Sequence, residues 1–282
     1  MNHYLHKGLS DRTIHVVLVG AGGTGSRMLE NLANLHRAMV ALGHPGGLQV
    51  CVVDDDVVSS SNIGRQAFYP CDIGSYKAAT LVNRINMSMG VQWEARIERI
   101  TTKTTFGYSK LDFMIGAVDN RSARLAMLRI LEARQGGPTY WLDLGNRSSD
   151  GQFLLGEVSH KDRKTDDKAR LPHIGELFPE LIDSAQDKES DEEPSCSLAE
   201  ALEKQSLFIN PSVACMASSL LWNLLHKGQI EFHGGFVNLS AGSVMPIPID
   251  IEFWTRFGIE RNGRRRKVTQ PSKKASLANL PA

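Results

Sequence analysis

Apolar runs and helical spacings give this chain its outline. Residues 16–19, VVLV, are four consecutive apolar positions, the pattern of a strand buried on both faces. Glycines follow at once at Gly20, Gly22, Gly23 and Gly25, and a helical pattern opens at Ser26 and Arg27. Leu29, Leu32, Leu35, Met39 and Leu42 then recur at helical spacing until Gly43, Pro45, Gly46 and Gly47 end the helix. Residues 48–53 predict a second buried strand, so the chain opens β-α-β with a parallel pair. A further helix carries Lys77, Leu81, Val82 and Ile85, and 91–99 alternates loosely as a strand. Another buried strand is expected over 110–118, a helix over 121–131, and strands over 139–144 and 151–158. Two short strand-like pieces with turns between them fill 234–248. The sum is an α/β fold around a mostly parallel, doubly wound sheet.

Two regions break this pattern. Residues 160–195 hold the mixed-charge run KDRKTDDKAR and the acidic run DKESDEEP, too poor in apolar residues to bury a core, and predict a mobile crossover. It leads to PSCSLAEALEKQSLFINPSVACMASSLLWNLL, two helical patterns broken at Asn210-Pro211. The C-terminal RNGRRRKVTQPSKKASLANLPA is basic without one acidic residue and reads as a disordered tail. The expected division is one domain over 1–258, crossover included, and a tail over 259–282.

Composition narrows the class. Of 282 residues, 41% are hydrophobic and 22% charged, as in an ordinary soluble globular protein. A net charge of +1 gives nucleic acid no argument. No apolar run reaches the ~18 residues of a membrane span, and MNHYLHKGLSDR lacks a signal-peptide core. A cytoplasmic protein is expected. Cys51, Cys71, Cys196 and Cys215 form no C-x-x-C pair, so no structural zinc of the four-cysteine type is expected.

The chemistry starts at the glycine loop. A strand, a glycine turn and a helix N-terminus make an anion site, because backbone N–H groups and the helix dipole converge on one point. Gly20, Gly22 and Gly25 satisfy G-x-G-x-x-G, which by itself suits NAD as well as ATP. Asp54 closes the neighbouring strand, where a carboxylate accepts from ribose hydroxyls; the plainer reading is a solvated acidic turn. Asn62, Arg65 and Gln66 sit in the following loop, and Lys77 begins the next helix. Arg65 offers a planar fork and Lys77 a point charge, a pair suited to a triphosphate, against the alternative of two surface cations. Asp119 stands at the end of the 110–118 strand, placed either to hold a hard cation or to cap a helix. Cys196 lies in the crossover just before an expected helix start, where a thiolate is stabilised. Cys71 is its weaker rival, while Cys51 and Cys215 read as packing residues.

The segments GAGGTGS, DDDVVSSSNIGRQ and DIGSYKA, in that order, resemble the ThiF/MoeB/ubiquitin-activating superfamily of adenylating enzymes. The resemblance covers roughly 16–120 and returns in the C-terminal third; its nearest subfamily is the ThiF-like protein of the bacterial PRTRC gene system. It implies a Rossmann-like sheet extended by C-terminal antiparallel strands, and use of ATP with Mg2+. It further implies that Asp54 binds the ribose, that Asn62, Arg65 and Lys77 contact phosphates, and that Asp56 shapes the same site. Asp119 would hold magnesium, and Cys196 would accept the acyl group. Two features depart from the family: the N-terminal helix that carries an ATP-contacting arginine in many relatives is missing or very short, with Arg12 as the candidate substitute, and the zinc-binding cysteine pairs of several relatives are absent; no segment resembles the domain that recruits a conjugating enzyme. The implied activity is adenylation of the C-terminal glycine carboxylate of a small ubiquitin-like or sulfur-carrier-like protein by a homodimer. The rivals are adenylation of a small-molecule or tRNA-linked carboxylate, and a regulatory nucleotide-binding module without catalysis.

Overall fold

The computed structural model describes residues 1–106, 111–135, 137–160, 170–187 and 205–259. The chain begins with a two-residue strand, β1 (His3–Tyr4), paired antiparallel with β8 (Gln229–Ile230). In the main sheet β2 (Ile14–Val19), β3 (Leu48–Val53), β4 (Glu94–Arg96), β5 (Phe113–Gly116) and β6 (Thr139–Asn146) run parallel. Antiparallel strands β7 (Asp150–Val158), β9 (Phe232–Asn238) and β10 (Ser243–Pro248) extend it. The eight strands lie in the order β10-β9-β7-β6-β5-β2-β3-β4. From β2 the chain winds outward to β3 and β4, then returns to β5 on the other side of β2. That reversal makes the carboxyl ends of β2 and β5 the switch point of the sheet, the place where open α/β sheets bind ligands.

The helices are α1 (Gly23–Ala41), α2 (Lys77–Met89), α3 (Arg121–Ala133), the short α4 (Ile174–Leu177), α5 (Ile209–Lys227) and the short α6 (Ile251–Thr255). Helix α1 packs against both α2 and α5 on one face. The right-handed crossover from β5 to β6 runs in the opposite direction and so carries α3 to the other face. Between these layers β2, β3 and β5 are buried along almost their whole length, as their unbroken apolar runs require.

Several boundaries differ from the sequence reading. Helix α1 starts at Gly23, inside the glycine loop, with Gly22 as its cap. The strand expected over 110–118 is formed over Phe113–Gly116, and the one expected over 91–99 over Glu94–Arg96. Asn210-Pro211 does not break a helix but sits in the first turn of α5, where proline's missing N–H has no intrahelical partner to lose. The first of the two helical patterns lies outside the described residues up to 204.

The crossover needs the larger correction. The start of its described part is packed, with Leu171, Ile174 and Leu177 each buried in the core, while Asp183, Ser184 and Ala185 are exposed. The apolar stretch LPHIGELF separates the two charged runs and supplies that burial. Ile259, placed at the start of the tail, is buried too. On α5, Val213, Ala214, Ala217, Leu220, Leu221 and Leu224 face the core, while Cys215 points outward and is exposed, contrary to its reading as a packing residue. Cys51 is buried as expected.

Candidate active site

Because β2, β3, β5 and β6 are parallel, the segments that follow them gather at one edge of the sheet. After β2, Gly20 takes φ +91°, a left-handed conformation natural to glycine. A Cβ on Gly25 would stand 1.9 Å from the Gly20 carbonyl oxygen, so only glycine lets the first turn of α1 close on the strand end. Gly23 is pressed in the same way against the Asn210 side chain, with 2.7 Å to an added Cβ. Gly22 differs: its Cβ position is open, with nothing among the described residues within 4 Å. The loop is thus tight on its protein side and clear at Gly22.

Asp54, at the end of β3, is fastened to this loop. Its carboxylate accepts from the Ala21 N–H at 2.6 Å and from the Asp56 N–H at 2.9 Å. Burial raises its pKa from the ordinary carboxylate value; the two N–H donors and the Lys77 charge oppose the rise. Lys77, at the start of α2, is buried and donates from Nζ to the exposed Asp56 at 2.8 Å.

Arg65 and Gln66 lie in a loop bracketed by hydrogen bonds. The Ala67 N–H donates to Ser26 Oγ at 3.1 Å, and Arg84 donates to the Ala67 carbonyl at 2.8 Å. Asn62 turns inward to accept from the Ser59 N–H at 3.0 Å, so its side-chain oxygen serves the loop. Arg65 Nε and Gln66 Oε1 are buried and find no hydrogen-bond partner among the described residues. Burial also lowers the Arg65 pKa from the usual arginine value. A buried N–H and a buried carbonyl left unmatched are costly, and a polar ligand resolves that cost. Open space at Gly22 and unmatched groups on Arg65 and Gln66 fit a polyphosphate nucleotide.

Asp119, beyond β5, is exposed and accepts from Asn120 Nδ2 at 3.2 Å. Capping of α3 falls to Asn120, whose Oδ1 accepts from the Ala123 N–H at 2.8 Å. The Asp119 carboxylate therefore stays clear of the helix it was a candidate to cap. Arg12 is at the wrong edge. It makes a two-pronged bond to Asp112, at 2.6 and 2.8 Å, where β2 and β5 begin rather than where they end. It cannot stand in for a nucleotide-contacting arginine. Cys196 lies outside the described residues. Cys71 is exposed beside Asp72.

The structure adds a polar relay that no sequence pattern announced. Thr24 Oγ1 donates to Asn210 at 2.9 Å and to Asn146 at 3.2 Å; Asn146 Nδ2 donates to Asn210 at 3.1 Å. Asn210 donates onward to Gln205 at 3.0 Å, and Gln205 in turn accepts from Arg65 at 3.5 Å. The relay joins α1, β6, α5 and the Arg65 loop. On the far side Asp187 accepts from the N–H groups of Arg121 at 2.9 Å and Ser122 at 2.8 Å, the free donors of α3. Burial alone would raise the Asp187 pKa; these donors and the Arg121 charge bring it below the ordinary value.

A family model described as the ThiF family matches residues 9–245, which contain every one of these groups. The chain belongs to the ThiF family. This ThiF-family chain is 30% identical over 203 residues to ubiquitin-like modifier-activating enzyme 6 of Homo sapiens, covering 66% of the chain and 16% of that protein. It is 34% identical over 122 residues to ubiquitin-activating enzyme E1 1 of Schizosaccharomyces pombe, covering 40% of the chain and 12% of the relative. The chain thus spans less than a fifth of the length of these curated relatives. Among solved structures it resembles E. coli MccB with succinimide, with a TM-score of 0.53 at 13% identity over 84% of this chain and 64% of that one. PaaA gives 0.51 at 15% identity over the same shares. At such identities the likeness is one of fold, the ThiF-type sheet with helices on its faces.

Proposed function

We propose that this ThiF-family chain adenylates a terminal carboxylate using ATP, the acyl donor being a small ubiquitin-like or sulfur-carrier-like protein that ends in glycine. The observation that carries the reading is the convergence of the open Gly22 position, the unmatched Arg65 and Gln66 atoms, and buried Lys77 at the carboxyl edge of the sheet. In this reading Asp54 accepts from the ribose, and Asn62, Arg65 and Lys77 hold the phosphates. The substrate carboxylate oxygen attacks the α-phosphorus, the bond to the bridging oxygen breaks, and pyrophosphate leaves as the acyl-adenylate forms. Arg65 and Lys77 contribute by holding charge where it builds up. Magnesium, bound by Asp119, would shield the triphosphate oxygens.

A second step follows if the Cys196 thiolate attacks the acyl carbon and AMP leaves, giving a thioester. The rest of the proposal is a homodimer in the cytoplasm, an adenylation unit over 1–258, and kinship with the PRTRC-system protein. No described helix is long and apolar enough to cross a membrane.

The test is ATP–pyrophosphate exchange with and without candidate proteins ending in glycine. Exchange stimulated by such a protein supports the reading; stimulation by NAD-linked or small-carboxylate substrates alone replaces it. Cys196→Ala should keep exchange and lose any conjugate cleaved by a thiol reductant, while Cys71→Ala and Cys215→Ala keep both. Light scattering at about 31 kDa would remove the dimer.

A further inference from the structure

At the opposite edge of the sheet, some six residues along β6 and about 20 Å from Asn146, lies a second cluster of chemistry-bearing side chains. His3 and His6, three residues apart near the start of the chain, meet Glu157 at the end of β7. One ligand atom from each lies within 4.8 Å of the other two. We propose that His3, His6 and Glu157 bind a divalent transition metal, with zinc the best match, as a clip between the N-terminal segment and β7.

Glu157 is buried, and a carboxylate in that setting needs a positive partner. Its Oε1 faces His6 Nε2 in a short hydrogen bond, and its Oε2 stands 3.8 Å from His3 Nδ1. Oε2 also accepts from the Leu171 N–H at 2.7 Å, which fixes the carboxylate plane. Two imidazoles and a carboxylate are the donor set of an open zinc site. Ligand atoms on a tetrahedral metal with bonds of about 2.0–2.1 Å lie roughly 3.3 Å apart. The 3.8 Å pair needs only a small approach, and the His6–Glu157 pair opens as the metal replaces the proton between them.

The surroundings match as well. His3 Nε2 meets the Tyr140 hydroxyl at 2.8 Å, and Nδ1 is the ring nitrogen turned toward the carboxylate. Such an outer hydrogen bond is what orients a ligating histidine. His6 stacks on the Tyr140 ring at 4.2 Å and is 24% exposed, which leaves a route for the ion and room for a water as fourth ligand. The distance from the nucleotide edge makes this a fastening for the fold rather than part of the adenylation chemistry.

The test is zinc titration of the chelator-treated, untagged full chain by calorimetry, with cobalt(II) as a spectroscopic substitute. One equivalent should bind, thermal stability should rise, and the cobalt spectrum should be that of nitrogen and oxygen donors without thiolate charge transfer. His6→Gln, at a partly exposed position, and Glu157→Gln should each weaken binding by more than the ~10–100-fold typical of an outer-shell change. Tyr140→Phe should weaken it within that range. Circular dichroism and nucleotide binding confirm that the variants remain folded. Absence of zinc uptake by the wild type overturns the proposal. So does uptake that carries thiolate absorption and is unchanged in His6→Gln.

Discussion

Lys77 holds Asp56 twice, donating from its ammonium to the carboxylate at 2.8 Å and from its backbone N–H to the Asp56 carbonyl at 2.9 Å. The start of α2 is thereby bound to the turn after β3, and the lysine charge is fixed beside Asp54. Lys77→Ala and Arg65→Ala should each slow ATP–pyrophosphate exchange about a hundredfold or more, near 2.7 kcal/mol of lost charge stabilisation. Asp119→Ala should change the magnesium dependence instead. Normal exchange in all three variants would move the active site elsewhere.

Gly25 and Gly22 should respond differently to one added methyl group. Gly25→Ala drives a Cβ into the Gly20 carbonyl and should cost about 1–3 kcal/mol of stability, the usual penalty of overpacking. Gly22→Ala meets no described atom within 4 Å and should cost no more than the ~1 kcal/mol by which alanine is the poorer helix cap, yet lose ATP binding as the methyl enters the phosphate space. A Gly22→Ala protein that binds ATP normally would place the phosphates outside this loop.

Asp187 serves as a distant cap on α3, since its carboxylate takes two N–H groups that Asn120 does not reach. Asp187→Ala should lower stability by about 1 kcal/mol, as loss of a cap does. Urea titrations would show it as a lower midpoint at constant slope. No change would mean that water replaces the carboxylate without loss.

His233 sets an expected pH response. It is fully buried, its Nδ1 meets the Leu155 carbonyl at 2.8 Å, and its Nε2 accepts from Trp254 at 3.1 Å. Burial, the main cause, lowers its pKa to about 4. An unfolded histidine titrates near 6.5, so between the two values the unfolded chain binds the extra proton and gains on the folded one. The contribution of His233 is thus intact above about 6.5 and falls as pH drops toward about 4, by roughly 3 kcal/mol in all. His233→Gln should flatten the slope of stability against pH in that window. An unchanged slope would assign it to other groups.

The parts that were legible in the sequence are those whose physics is local. The apolar run of β3 and the glycines after β2 mark a buried parallel pair and its turn without reference to anything distant. The positions of Asp54 and Lys77 could be read because each stands directly beside an element end. Thr24, Asn146, Gln205 and Asn210 could not, since they come from α1, β6, the stretch before α5 and α5 itself, and only the folded sheet brings the hydroxyl and the amides together. The same holds for His3, His6 and Glu157: an expectation framed on paired cysteines has no view of histidines that meet a glutamate about 150 residues later. Arg12 misled because nearness to the first strand says nothing about which end of it a side chain attends. The crossover misled because its charged runs, prominent in the sequence, flank a short apolar stretch that decides its packing.

Asp187 and Gln205 both attach at the carboxyl edge of the sheet, one to the start of α3 and the other to the relay that ends on Arg65. A substitution at either residue is therefore transmitted to the edge that holds the glycine loop without altering the loop itself.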